Sequence, residues 1–185
     1  VEHARMLYHV ACLQAVEANW WRCLETSDRA IELLRGDDVP TTLMRGELQR
    51  ISAFAAYNVE NGPQGALERT RRSVETYRSL REQYPARLAG ALSQLAQAQE
   101  MTGHPGGADQ SIAEAWLLLE SQEHADEPLR SALLEVRGFI EGRRGDHQAA
   151  LRSMLEVAAL QERLYPPNHP GLLNSMEALA LAHLA

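Results

Sequence analysis

Apolar residues recur along the chain at spacings of three and four, as helices with one buried face require. Leu88, Leu92, Leu95 and Ala96 hold one such face. Ala150, Met154, Val157 and Ala158 hold another, which Leu151 and Leu155 widen. A stripe broader than about 100° is expected of a helix packed on two sides. Two alternating sets of breaks divide the pattern. One set is Gly36 to Pro40, Tyr84 with Pro85, Gln122 to Glu127, and Pro166 to Pro170. The other is Ala18 with Asn19, Asn61 to Pro63, Gly103 to Gly107, and Arg144 to Asp146. Proline inside a helix loses a backbone bond and clashes with the preceding turn, so these segments separate helices. About nine helices follow. The first member of each pair is predicted at 2–17, 41–60, 86–102, 127–143 and 171–185, and the second at 20–34, 65–83, 107–121 and 147–165.

The breaks inside the pairs keep a period. Cys23, Ala66, Ala108 and Ala150 each follow a turn, and their separations are 43, 42 and 42 residues. A fixed period of this size predicts a solenoid, in which each repeat buries its apolar faces on its neighbours. The expected fold class is therefore all-α: one solenoid over residues 1–185, with repeats at 2–38, 41–83, 86–122 and 127–165 and a half repeat at 171–185. Such a chain presents a surface and encloses no catalytic pocket. Its last helix lacks a second helix to cover Met176, Leu179 and Ala180, so an end-to-end contact is expected there.

Composition narrows the partners. Hydrophobic content of 45% supports a continuous core, and 5% aromatics favour close helix packing over sheets. A net charge of −7 argues against a grip on phosphate backbones, so no nucleic-acid partner is expected. No apolar run reaches the roughly 18 residues that span a bilayer, and no signal-peptide pattern opens the chain. No membrane role is expected, and the cytoplasm is the expected compartment. All 18 basic residues are arginine, which with abundant Ala and Leu suggests a GC-rich bacterial genome. Because the chain opens without methionine and stops within a helical pattern, it reads as a fragment of a larger protein.

Catalytic and metal-binding patterns are missing. The sequence has no phosphate loop, no G-x-S-x-G nucleophile turn and no H-E-x-x-H zinc helix. Its seven histidines never fall at helical ligand spacing, and Cys12 and Cys23 form no C-x-x-C pair. No cofactor, metal or enzymatic activity is expected. Both cysteines read as small buried thiols. The arginines at 69, 71, 72, 78 and 81 alternate with glutamates, and Glu68–Arg72, Arg71–Glu75 and Arg78–Glu82 read as i,i+4 pairs on a wet face. Trp20 is expected in the core, Trp21 exposed, and Trp116 between repeats.

Within the repeats, a small residue near the middle of the first helix precedes a turn, an anchor and another small residue seven positions later. Examples are Ala96, Gly103, Ala108 and Ala115; Gly138, Gly145, Ala150 and Val157; and Ala11, Cys23 and Ala30. This pattern resembles the tetratricopeptide repeat. The segment Leu164 to Pro170, followed by Leu179 and Ala180, resembles the longer repeats of kinesin light chain and bacterial signalling proteins. The second repeat departs from the pattern: Arg50 and Ala53 occupy places where large apolar residues are usual, unless its first helix is shifted by one.

The resemblance implies a right-handed superhelix whose first helices line an inner groove. Counting from the anchors, groove positions are Tyr8 and Cys12, then Ile51 and Asn58, then Ser93, Gln97 and Glu100, then Glu135, Phe139 and Arg143. It also implies protein–protein or peptide binding there, within a bacterial regulatory or scaffolding protein. The alternative is a ligand- or peptide-sensing arm of a transcription regulator or kinase. The lysine and asparagine clamp of chaperone-binding members is missing, because Tyr8, Ile51, Ser93 and Glu135 stand in much of its place.

Overall fold

The structure, a computed structural model, describes residues 1–59, 62–122 and 126–166. Among them are eight α-helices and no strand. They are α1 Glu2–Val16, α2 Trp20–Leu33, α3 Val39–Val59, α4 Pro63–Arg78, α5 Pro85–Met101, α6 Pro105–Glu120, α7 Glu127–Arg143 and α8 His147–Leu164. The expected ninth helix, with Met176, Leu179 and Ala180, lies outside the described residues. No helix among the described residues is long and apolar enough to cross a membrane.

Helix starts follow from local chemistry. Pro63, Pro85 and Pro105 each open a helix, where a missing N–H costs nothing. Asp126 and Asp146 cap α7 and α8, each accepting from a backbone N–H three residues on, at 2.9 Å. The turns inside three pairs close alike. Asn19, His104 and Asp146 donate their backbone N–H to the carbonyls of Gln14, Gln99 and Glu141, at 2.8, 2.8 and 3.0 Å. This closure needs a left-handed residue just before the donor. Gly103 (φ 78°) and Gly145 (φ 84°) supply it without strain, whereas the first pair uses Ala18 (φ 54°).

Helices α1 and α2, α3 and α4, α5 and α6, and α7 and α8 pack as neighbouring pairs, and α2 and α4 also pack on the following helix. The small residues of the sequence pattern sit at these closest approaches. Ala11 meets Cys23 in one buried cluster, and Ala96 meets Ala108 in another. A Cβ on Gly138 would collide with Met154 Cε and lie 3.1 Å from Ser153 Cβ. Ala30, Ala115 and Val157 are likewise buried. Leu88, Leu92 and Leu95 are buried as their spacing predicts, but Leu155 is half exposed, so the α8 stripe is narrower than its sequence suggests.

The second repeat is shifted. Counting back from Ala66 by the interval that separates Ala96 from Ala108 reaches Phe54, which is 50% exposed. Its neighbour Ala53 is 2% exposed and takes the packing position. The next repeats agree, since Ala11, Ala53, Ala96 and Gly138 share one register and are all buried. Helix α4 also ends at Arg78, short of the expected Gln83. Ser79 Oγ donates to the Thr76 carbonyl at 2.8 Å, competing with the helical ladder, and Pro85 bars the residue before it from helical geometry.

Candidate functional site

The first helices of the pairs form one wall. Helices α5 and α7 pack directly, α1 touches α3 over a shorter stretch, and α3 and α5 scarcely meet. One ion pair joins that last couple: Arg87 donates to Glu47 at 2.6 Å, and Glu47 also pairs with Arg50 at 3.1 Å. Farther along, α3 and α5 leave an open notch of about 460 Å³. Phe54 and Tyr57 of α3, Thr70 of α4, and Gln94, Gln97 and Met101 of α5 line it. Both aromatic rings are exposed. Trp20 meets the Phe54 ring edge-on, 5.3 Å between centroids at 84°, and so fixes its direction.

The ten residues expected in the groove fall in different surroundings. Tyr8 and Cys12 are neighbours on α1, and burial, then Cys12 and Glu47, push the Tyr8 phenol up to about 12. Ile51 packs on the buried cluster of α1, α2 and α3, and Asn58 is exposed with its amide donated to the Phe54 carbonyl at 2.8 Å. The one-residue shift of α3 puts Arg50, Phe54 and Tyr57 in the register of Ser93, Gln97 and Glu100. Ser93 is buried and donates to the Gly90 carbonyl at 2.8 Å. Gln97 lines the notch. The Glu100 carboxylate is taken up by Arg144, which donates to it at 2.7 Å and to Asp109 at 2.9 Å. Phe139 is half-buried with the Arg143 guanidinium 5.8 Å from its ring centroid.

Glu135 accepts from the Gln161 Nε2 at 2.6 Å. Part of its side chain is exposed, yet desolvation of its inner part holds the carboxyl above the ordinary range, more than the Gln161 bond lowers it. A raised folded value means the native state binds the proton more tightly, so stability falls as pH rises from the ordinary carboxylate range through the folded value. Replacing Glu135 by Gln should therefore raise Tm at about pH 7 and leave it unchanged near pH 4, which thermal denaturation at both values checks.

The arginine-rich surface of α4 is less wet than its sequence suggests. Arg69 donates to both Asp28 oxygens, at 2.6 and 2.9 Å, and to Ser52 at 2.5 Å, tying α4 to α2 and α3. Glu68 and Arg72 pair at 3.2 Å as expected. Arg78 turns to Glu114 of α6 at 2.8 Å instead of Glu82, which lies past the end of the helix. Nothing in the local spacing marks these pairs. The usable signal is opposite charge about one repeat away, as in Arg69 with Asp28 and Arg144 with Glu100.

Trp21 is exposed, while Trp116 packs against two buried clusters beneath the Arg137 guanidinium. Cys23 is buried, which pushes its thiol up, and Cys12 is half-buried. No group of three metal-ligating side chains occurs among the described residues.

Solved structures place this architecture. The chain superposes on a Podosopora anserina protein described as a kinesin light chain with nearly identical TPR-like repeats, at TM-score 0.65 and 20% identity over 98% of this chain and 86% of that one. A form of that protein with one residue substituted superposes at TM-score 0.66. The apo form of RapI superposes at TM-score 0.71 and 14% identity, over 100% of this chain and 71% of its own. The chain has a TPR-like repeat fold. No family model and no curated protein matches its sequence.

Proposed function

We propose that this TPR-like chain is a non-enzymatic module that binds a protein or peptide along the wall formed by α1, α3, α5 and α7. The observation that carries this reading is the pair of exposed aromatic rings, Phe54 and Tyr57, at the notch between α3 and α5. Exposed aromatics in a preformed recess are the usual energetic centres of recognition, because they bury large area with little loss of rotamer freedom. The module serves as a scaffold within a larger bacterial regulatory protein. A sensing arm is the second reading. It is favoured by the sparse contact between α3 and α5, because a ligand in the notch would bridge two repeats.

Selection of displayed peptides on the immobilised protein tests the proposal. Enriched sequences should bind the Phe54→Ala/Tyr57→Ala variant at least about tenfold more weakly, as loss of two anchoring rings requires. Failure of any sequence to enrich, or equal binding to the variant, would sink it. A thermal-shift screen separates the sensing arm, which small metabolites should also stabilise.

A further inference from the structure

One face of α1 is apolar although it meets water. Met6, Val10 and Leu13 follow one another at spacings of four and three, and Met6 and Leu13 are 62% and 65% exposed. In the register that aligns Ala11 with Ala53, Ala96 and Gly138, Met6 stands where Leu48, Ala91 and Leu133 stand, and Leu13 where Ala55, Ala98 and Ile140 stand. All six counterparts are buried. On α3 the covering helix is α2, and on α5 it is α4. The stripe on α1 thus continues an interface used inside this molecule, but among the described residues no helix lies on it. A solenoid face that meets only water is polar.

Both ends of the stripe carry acids. Glu2 lies one turn before Met6 and Glu17 one turn after Leu13, about 22 Å apart along the helix. Met44, Arg87 and Leu129 hold the first place in the other pairs, and Val59, Thr102 and Arg144 the second, none of them acidic. Arg5 reaches Glu2 only at 3.4 Å and leaves its side chain 88% exposed. Glu17 is the C-cap of α1, whose last turn has no basic residue, and it meets no cation among the described residues. A carboxylate at the negative end of a helix dipole is unfavourable until a cation answers it.

The occupant follows from shape and charge. A helix has satisfied its own backbone, so its side chains interlock with a helical ridge at no polar cost, as those of α2 do on α3. An extended segment would face hydrocarbon with unpaired N–H groups. A second copy pairing through the same stripe would bring like charges together: Glu2 meets Glu17 in the antiparallel arrangement, and each meets itself in the parallel one. Acids at both ends and a net charge of −7 oppose an anionic membrane. We propose that the α1 stripe, a surface apart from the notch, docks an amphipathic helix of a partner protein. That helix carries apolar residues at the centre of one face and an arginine or lysine one turn beyond them at each end.

The probe is an alanine-based helical peptide with three leucines at the same spacing and an arginine one turn beyond each end. The same peptide with glutamates in place of the arginines is the control. Each is titrated into the full chain with its methionine methyl groups labelled for NMR. The arginine peptide should shift the Met6 methyl and leave Met101 at the notch and Met154 of α8 in place. Met6→Glu, at a position exposed enough to tolerate charge, should weaken it at least about tenfold, as loss of a central apolar contact does. Leu13→Glu repeats that test at a second position. Glu2→Gln/Glu17→Gln should weaken it about threefold, since exposed ion pairs are individually worth little. Glu2→Arg/Glu17→Arg should reverse the preference and favour the glutamate peptide. Phe54→Ala/Tyr57→Ala should leave the arginine peptide bound, which separates this surface from the notch. Equal binding of the two peptides to wild type, or no shift at Met6, overturns the inference. So does a dimer in sedimentation, or binding to vesicles of phosphatidylcholine and phosphatidylglycerol, that Met6→Glu abolishes.

Discussion

Alanine at position 46 should destabilise the chain, although alanine is the better helix former. Gly46 lies in the middle of α3, where glycine costs about 1 kcal/mol relative to alanine. The cost is accepted because the ring of Tyr77 lies on it. A Cβ there would stand 2.5 Å from Tyr77 Cζ and 2.8 Å from both Cε atoms. Tyr77 is 0% exposed, so its ring has no room to retreat. We expect Gly46→Ala to lose about 1–3 kcal/mol, the cost of overpacking a filled core. Tyr77→Ala should lose about 3–5 kcal/mol through its cavity. In that background the clash disappears, and Gly46→Ala should become neutral or stabilising. Urea denaturation of the four proteins in the cycle provides the check. Additive losses would mean that ring and glycine do not share the close approach described here.

The second large effect contrasts two residues of equal register. Met6 of α1 and Leu48 of α3 stand one repeat apart, at 62% and 0% exposure. Helix α2 packs on α3, so Leu48 is covered by the preceding pair while Met6 is open. Leu48→Glu should cost about 3–5 kcal/mol, as an uncompensated buried charge does. Met6→Glu should fall within about 0.5 kcal/mol of wild type. Val10 and Leu13 extend the open stripe of α1, while Ser52 and Ala55 one repeat on are buried, so the contrast belongs to the whole face. Similar losses at both positions would show that the pairs are not stacked in this order.

Helices were legible because both signals that define them are local. Apolar spacing marked the buried faces, and glycine or proline marked the ends, so α7 runs from Glu127 to Arg143 as its sequence predicts. The packing small residues were legible from period alone, and Ala96, Ala108 and Ala115 are all fully buried. The lining of the wall was harder to read. Side chains on a helix advance by 100° per residue, so the one-residue shift of α3 rotates its exposed face and brings Phe54 and Tyr57 to the notch. Counting back from Ala66 missed it, because α3 runs six residues past Ala53 to Val59, whereas α1, α5 and α7 run five past Ala11, Ala96 and Gly138. Glu100 shows a different limit. Its spacing puts it on the wall, but its carboxylate is engaged by Arg144, 44 residues later. Pairing across repeats depends on stacking geometry, which local spacing does not encode.

Amide hydrogen exchange, measured with and without a selected peptide, most directly tests where this protein engages its partner. Protection should increase along α3 from Arg50 to Tyr57 and along α5 from Gln94 to Met101, with α1, α6 and α8 unchanged. Protection confined to α1 or to the second helices would contradict a binding site between α3 and α5.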